Sequence, residues 1–357
     1  MSGPRLDGTG KTSLRPVMVA MSGGVDSSVA AALLCDAGHE VVGVTLRLWG
    51  GESDSGCCAV SDVDDARRVA DALGIEHHVF NLGDDFNRDV VDPYVADHAL
   101  GRTPNPCIEC NRHIKFTRLR YRASALGFAT IATGHHARIV ERIDGTRRIA
   151  RAVDASKDQS YVLHMLDQEQ LAGLLLPIGH LTKEDVRERA AAMGLRTADK
   201  PDSQDVCFIT RERGRDDFLR RRIPLTPGRV VDGTGAELGS VEAVEMVTVG
   251  QRKGIATAGG GAPRYAVDVD VASATVTVGS AADLLVDETP VLATTWAAGP
   301  VPVGTAIAVQ TSAHGATEAA IFDGDAVRWI RPHRRVASGQ AVVFYEGDEL
   351  IGGATAA

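Results

Sequence analysis

The chain has 357 residues, 44% of them apolar, and a formal net charge of −9 at pH 7. That length predicts two or three domains with real cores. No run approaches the ~18 apolar residues of a membrane helix, and the acidic balance excludes a generic nucleic-acid coat. No secretory signal is visible, so the expected location is the cytoplasm. There, six cysteines point to chemistry or metal binding rather than a disulfide scaffold.

Residues 1–15 read as a disordered leader. Within it Gly8-Thr9-Gly10-Lys11-Thr12-Ser13 imitates the end of a Walker A loop, but the glycine that pattern needs at position 5 is Arg5, and no apolar strand precedes it. The first real signal is the short apolar run Val17 to Met21, followed by Ser22-Gly23-Gly24-Val25-Asp26-Ser27-Ser28 and an Ala-rich segment from Val29 to Ala37. This is strand, glycine loop, helix. Two glycines permit a tight turn with bare N–H groups. At a helix start those N–H groups and the dipole favour an anion. Ser22, Ser27 and Ser28 add hydroxyl donors. Asp26 fits such a cradle either as the ligand of a divalent cation that bridges to phosphate or as a helix cap. The string resembles the pyrophosphate-binding loop of the ATP pyrophosphatases, which cleave ATP to AMP and pyrophosphate.

Further along, Glu40 to Leu46 reads as a second buried strand, Asp62 to Leu73 as a helix with Val63, Ala66, Val69, Ala70 and Leu73 on one face, and His78 to Leu82 as a third strand. Strands alternating with helices imply a parallel sheet whose ligands bind at the strands' carboxyl ends, which places Leu46 near the nucleotide. Cys57-Cys58, in a polar loop, read as a spare thiol pair. A polar helix carrying Tyr94 and His98 leads to Gly101. Charge is uneven here: residues 51–100 hold 3 Lys+Arg and 12 Asp+Glu, whereas residues 101–150 hold 10 and 3. A basic block inside an acidic chain suggests a local polyanion site, the plainer alternative being a solvated charged face.

The second centre is Gly101 to Asn111, in which Pro104 and Pro106 fix an extended loop and Cys110-Asn111 opens a helix to about Leu126. Phe116, Leu119, Ala123 and Leu126 form an apolar stripe beside a basic one of Lys115, Arg118 and Arg122. A helix N-terminus and nearby cations both favour thiolate at Cys110; the alternative for Cys107-x-x-Cys110 is half a zinc site. Ala129 to His136 is a strand ending in a glycine turn, which brings Gly134 close to a ligand and His135 to the crevice. Arg138 to Arg151 reads as a hairpin around Asp144-Gly145, Lys157 to Tyr161 as a polar cluster, and Leu181 to Met193 as an amphipathic helix. In Asp202-Ser203-Gln204-Asp205-Val206-Cys207-Phe208-Ile209 a cysteine lies within a short apolar strand. From about Arg211 short strands with Gly, Pro and Asp punctuation predict small barrels or a sandwich.

Taken with Gly101 to Phe116, Ala132 to His135, Lys157 to Tyr161, Cys207 to Ile209 and Gly250-Gln251-Arg252-Lys253-Gly254, the loop makes the chain similar to the tRNA-specific 2-thiouridylase family. The resemblance runs from about Val17 to the C-terminus. It implies an α/β chain in which a parallel-sheet, adenine-nucleotide hydrolase-like (PP-loop) domain at 16–215 is followed by a small central β domain at 216–285 and a β-barrel at 286–357. It implies ATP with Mg2+, ATP contacts at Ala20, Met21, Ser22, Gly23, Gly24, Val25, Asp26, Ser27, Leu46 and Gly134, and a persulfide on Cys207. Cys110 attacks that persulfide, freeing the sulfur or closing a disulfide. It implies tRNA contacts at Asn105, Pro106, Cys107, His135, Lys157, Asp158, Gln159 and Gln340. The wobble uridine of tRNAs for Lys, Glu and Gln is the substrate, and a sulfur-relay or cysteine desulfurase protein is the donor. Cys107 stands where the family commonly has Asp, and Ser312-Ala313-His314 where it has an Arg-Tyr-Arg-like segment. The extra thiol allows an iron–sulfur cluster on Cys107, Cys110 and Cys207. Two rivals remain: a small-molecule ligase, which has no need of these cysteines, and a metal-binding RNA protein, which has no need of Asp26.

Overall fold

The computed structural model describes residues 14–48, 60–201, 206–209, 214–255 and 263–357. The Gly8 to Ser13 decoy, most of the expected leader, Cys57-Cys58 and Asp202 to Asp205 lie outside the described residues. The chain divides into two compact units: 1–90, 107–211 and 348–350 form the first, and 91–106, 212–347 and 351–357 the second.

In the first unit β1 (Leu14–Ala20), α1 (Val25–Asp36), β2 (His39–Arg47), α2 (Val60–Leu73), β3 (Glu76–Asn81) and β4 (Thr130–Thr133) follow the expected alternation. A hairpin of β5 (Ala137–Glu141) and β6 (Arg147–Arg151) comes next, and β7 (Leu174–Leu175) completes a five-stranded sheet of order β3-β2-β1-β4-β7. Every neighbouring pair in it is parallel. Val17, Met18 and Val19 are fully buried, because helices cover both faces of a parallel sheet and its central strand is apolar on both sides. Sequence order reverses between β1 and β4. The crevice beyond their carboxyl ends is therefore the switch point where such sheets take ligands.

Helix α1 is enclosed on nearly all sides, with Val25, Ser27 to Ala32 and Leu34 buried. Its Ala30 and Ala31 share one core with Ala66, Val69 and Ala70 of α2 and with Val186 and Ala190 of the helix Lys183–Ala192.

Three expectations shift. Strand β1 already begins at Leu14, inside the expected leader. The helix expected to open at Cys110 opens at Pro106, whose missing N–H costs nothing at a first helical position. It runs as α-helix over Pro106–Glu109, π-helix over Cys110–Arg118 and α-helix over Leu119–Ala125. And residues 206–209 form a turn, not a strand, with Phe208 edge-on to Phe86.

In the second unit β8 (Gly228–Val231), β9 (Glu237–Val241), β10 (Tyr265–Asp270) and β11 (Thr275–Gly279) form a sheet of order β10-β11-β8-β9 over a small valine core. Then β12 (Leu285–Trp296), β13 (Ala306–Gln310), β14 (Glu318–Phe322), β15 (Ala326–Arg334), β16 (Ala341–Glu346) and β17 (Glu349–Ala356) run β12-β15-β14-β13-β16-β17, and β12 pairs with β17 to close a barrel. Trp296, Phe322 and Phe344 pack together inside it. The fold is the expected one, a parallel-sheet domain followed by small β structures.

Candidate functional site

Strand β1 ends at Ala20 and the chain turns through Ser22-Gly23-Gly24 into α1. Gly23 has φ +73°, and a Cβ there would collide with the Asp62 carbonyl, so the turn requires glycine. The turn is braced internally: the Ser22 N–H donates to Ser27 Oγ (3.1 Å), and the Ser27 and Ser28 hydroxyls donate to the Gly24 carbonyl (3.1 and 2.9 Å). Gly24 is the N-cap of α1 and no side chain caps it. Of the two roles open to Asp26, the cap is therefore not the one it plays.

Instead, Lys183 Nζ donates to both Asp26 oxygens (2.7 and 2.8 Å), and His136 Nε2 lies 3.1 Å from Oδ1. Burial alone would raise the Asp26 carboxyl; the hydrogen bonds from His136 and Lys183 outweigh it and hold the group below its ordinary value. A carboxylate is the hard oxygen ligand Mg2+ takes, and this one is 32% exposed. The residue fits the ion, provided the ion displaces Lys183. A second lysine braces the loop from below: Lys200 Nζ donates to the Gly23 carbonyl (3.0 Å) and to Asp62 and Asp65 (both 2.7 Å).

Strand β4 delivers Gly134, His135 and His136 to the same crevice. The close approach expected at Gly134 is to the loop itself, since a Cβ there would sit 2.6 Å from Ser27 N. His135 is buried. Its Nδ1 lies 2.7 Å from Thr133 Oγ1, its Nε2 3.4 Å from Lys115 Nζ, and Phe116 packs beside the ring. Burial first, then the charge of Lys115, pushes its pKa well below the usual value, so it serves as a neutral hydrogen-bonding group. His136 and Gln159 hold each other: His136 N–H donates to Gln159 Oε1 and Gln159 N–H to the His136 carbonyl. Asp158 is buried and accepts from Ala152 N, Ser160 N, Ser160 Oγ and Arg151 Nη1.

The basic stripe of the Pro106 helix is ion-paired in part. Arg118 faces Asp85 and Asp89 at 3.5 Å, Arg122 lies over the Phe80 ring, and Lys115 turns to His135. Arg118 thus takes its counter-charges from the acidic block 51–100, as Arg102 does from Asp97, whereas Arg112, Arg120, Arg142, Arg147 and Arg148 pair with carboxylates outside that block.

The family model described as the tRNA methyl transferase HUP domain matches residues 15–211. Those described as the tRNA methyl transferase PRC-barrel domain and the aminomethyltransferase β-barrel domain match 216–280 and 319–356. A curated relative, tRNA-specific 2-thiouridylase MnmA of Mycolicibacterium smegmatis, is 48% identical over 356 residues, 95% of this chain and 98% of its own. That of Chloroflexus aurantiacus is 47% identical over 350 residues, 94% of this chain and 97% of its own. The chain belongs to the tRNA-specific 2-thiouridylase family. A solved structure, the U34-tRNA thiolase NcsA from Methanococcus maripaludis, is 17% identical with a TM-score of 0.37, covering 56% of this chain and 64% of its own.

The cysteines expected to act in a 2-thiouridylase stand as follows. Cys107 is exposed in the first turn of its helix, Cys110 is buried one turn further in, and Cys207 is half-buried beside Phe208. Cys107, not Cys110, is the thiol nearest the helix start. Among the described residues no three His, Cys, Asp or Glu side chains are gathered to hold a metal ion. The three thiols are therefore not assembled as an iron–sulfur ligand set among the described residues. Next to Cys110, the buried Asn111 donates to the Val162 carbonyl (3.1 Å) while its Oδ1 has no partner.

The expected RNA contacts differ in exposure. Lys157 and Asn105 are half-buried and Gln159 is exposed. Pro106 is buried at the helix start. In the second unit the Gln340 amide donates to the Thr103 carbonyl, and Thr103 N–H to Ser338 O. Leu46 is half-buried near the end of β2. Lys183, Lys200 and His136 escape sequence reasoning. The one available signal was a lysine at the first position of a helix, where the dipole disfavours a cation.

Proposed function

We propose that the chain is an ATP-dependent tRNA-uridine 2-sulfurtransferase acting on the wobble uridine of tRNAs for Lys, Glu and Gln. The observation that carries this is a phosphate cradle at the sheet's switch point in a chain nearly half identical, end to end, to curated 2-thiouridylases. The substrate class puts the reaction in the cytoplasm.

The triphosphate of ATP lies against the N–H groups of Gly23 to Ser27 and the start of α1, and Asp26 would hold Mg2+, which would neutralise phosphate charge. Ala20, Met21, Leu46 and Gly134 line the rest of the nucleotide site. The C2 oxygen of the uridine attacks the α-phosphorus; pyrophosphate leaves and C2 carries an adenylate. A donor protein has charged Cys207 with a persulfide. Its terminal sulfur attacks C2 and AMP departs with the C2–O electron pair. Cys110 thiolate then attacks Cys207 Sγ, the S–S bond to the transferred sulfur breaks, and 2-thiouridine leaves behind a Cys110–Cys207 disulfide. Alternatively Cys110 attacks the persulfide first and frees sulfide as the nucleophile. Asn105, Pro106, Cys107, His135, Lys157, Asp158, Gln159 and Gln340 are assigned to the RNA. For Asp158, His135 and Gln340 that role is one of shaping the surface, since their polar groups are engaged internally.

Single-turnover thiolation of unmodified tRNA tests the reading, with ATP and sulfide, in wild type, Cys110→Ser and Cys207→Ser. Thiolated uridine in wild type with both variants impaired is expected. ATP cleavage without thiolation would favour a small-molecule ligase.

A further inference from the structure

Asp26 sets a charge problem. Its carboxylate sits in the first turn of α1, among the N–H groups that receive phosphate, so an entering triphosphate meets an anion unless a cation stands between. In the structure that cation is Lys183. Nothing about its own helix explains its placement. It occupies the first position of Lys183–Ala192, where the helix dipole opposes positive charge, and its side chain is only 11% exposed. Its backbone, by contrast, is anchored: the Lys183 N–H donates to Asp154 Oδ2 (3.0 Å), and Thr182 and Asp185 form a capping box around it. A fixed Cα carries a flexible four-carbon stem ending at the mouth of the cradle. His136, 3% exposed with Nδ1 unpartnered, keeps its own hold on Asp26 Oδ1.

We propose that Lys183 is a transferable cation. With the cradle empty it neutralises Asp26; when pyrophosphate-bearing nucleotide enters, it swings to the phosphate oxygens and leaves Asp26 to the nucleotide's Mg2+. His136 stays on Oδ1 throughout and keeps the carboxylate aimed. Lys183 is thus a phosphate-binding residue, and His136 a positioning residue that acts through Asp26.

The inference rests on the nucleotide-cradle reading and not on thiolation, so it is tested without tRNA. The full chain is titrated with inorganic pyrophosphate by calorimetry, with and without Mg2+, and with Mn2+ alone followed by electron paramagnetic resonance. Lys183→Gln is expected to weaken metal-free pyrophosphate binding roughly tenfold or more, the effect of losing a charge-assisted hydrogen bond. The same variant binds Mn2+ more tightly, because Asp26 has lost its counter-ion. Asp26→Asn gives the opposite pair of signs, and Lys183→Arg restores pyrophosphate binding toward wild type. Should Lys183→Gln fail to fold, the signs in Asp26→Asn decide. Unchanged metal-free pyrophosphate affinity in Lys183→Gln overturns the proposal, as does a parallel loss of Mn2+ and pyrophosphate binding, which a merely structural lysine would produce. Wild type that binds no pyrophosphate overturns the cradle as well. Absent thiolation with these signs intact strikes only the proposed function.

Discussion

Replacing Gly134 by alanine adds one methyl group between two backbones. The new Cβ would meet Ser27 N at 2.6 Å, Asp26 C at 2.7 Å and Ser27 Cα at 2.9 Å, whereas ordinary contact begins at 3.4 Å. None of the three is the end of a flexible side chain, so the end of β4 and the start of α1 must separate by about 0.8 Å, the gap between 2.6 and 3.4 Å. The direct cost is that of overpacking, about 1–3 kcal/mol. The functional cost is larger, because the displaced atoms carry the N–H groups of the cradle and the root of Asp26. A misplacement near 1 Å at a site of this kind is worth about 100-fold in rate. The assay is single-turnover thiolation as a function of ATP concentration, with thermal melting to show that the variant is folded. The expected result is a fall in kcat/KM for ATP of about two orders of magnitude with a modest loss of Tm. Gly233→Ala, where nothing lies within 4 Å of the added Cβ, is the control and stays at wild-type values. A folded Gly134→Ala enzyme with wild-type ATP dependence would refute the close-packing argument.

Three more outcomes are expected. Stability falls as pH drops from about 6.5 toward 4, because burial lowers both His98 and His164 from 6.5 to about 4. The unfolded chain then binds protons that the folded one refuses, at about 2 kcal/mol per histidine by pH 5; apparent Tm measured against pH checks this, and His164→Gln should flatten the slope. Asp158→Asn removes the charge that accepts from Arg151, Ser160 and Ala152 and is expected to cost about 1.5–3 kcal/mol, read as a lower Tm even without tRNA. Lys200→Met unties the Gly23 carbonyl from Asp62 and Asp65, where burial would lower the lysine's pKa but the two carboxylates raise it. ATP KM should rise by a factor on the order of ten, with Mg2+-independent folding intact by circular dichroism.

Local signals carried most of the fold. Val17 to Ala20 and Glu40 to Leu46 are apolar runs because a parallel sheet is covered on both faces, and Ser22 to Ser28 is a contiguous loop whose glycines and hydroxyls brace one another within five residues. What sequence could not show is long-range pairing. Lys183 reaches Asp26 across 157 positions, and Lys200 reaches Gly23 across 177, distances over which periodicity says nothing. Block charges do not say which groups meet, since Arg118 faces Asp85 and Asp89 only once the helix is folded. The helix start moved from Cys110 to Pro106 for a local reason: a proline within a predicted loop is also a good first helical residue. The same oversight misplaced which cysteine stands in the first turn.

Strand β17 binds the order of synthesis to the order of folding. Residues 348–350 belong to the compact unit that is otherwise complete by residue 211, where Glu349 pairs with Ala150 and takes the guanidinium groups of Arg142 and Arg148. Seven residues after Glu349, Ala356 closes the barrel against Val291. A ribosome that stalls even a dozen codons early therefore releases a chain with two arginines lacking their carboxylate and a barrel with an open seam. Such a chain presents unpaired strand edges to its neighbours. Strand β17 thus makes the parallel-sheet unit depend on residues that follow the barrel strands in sequence.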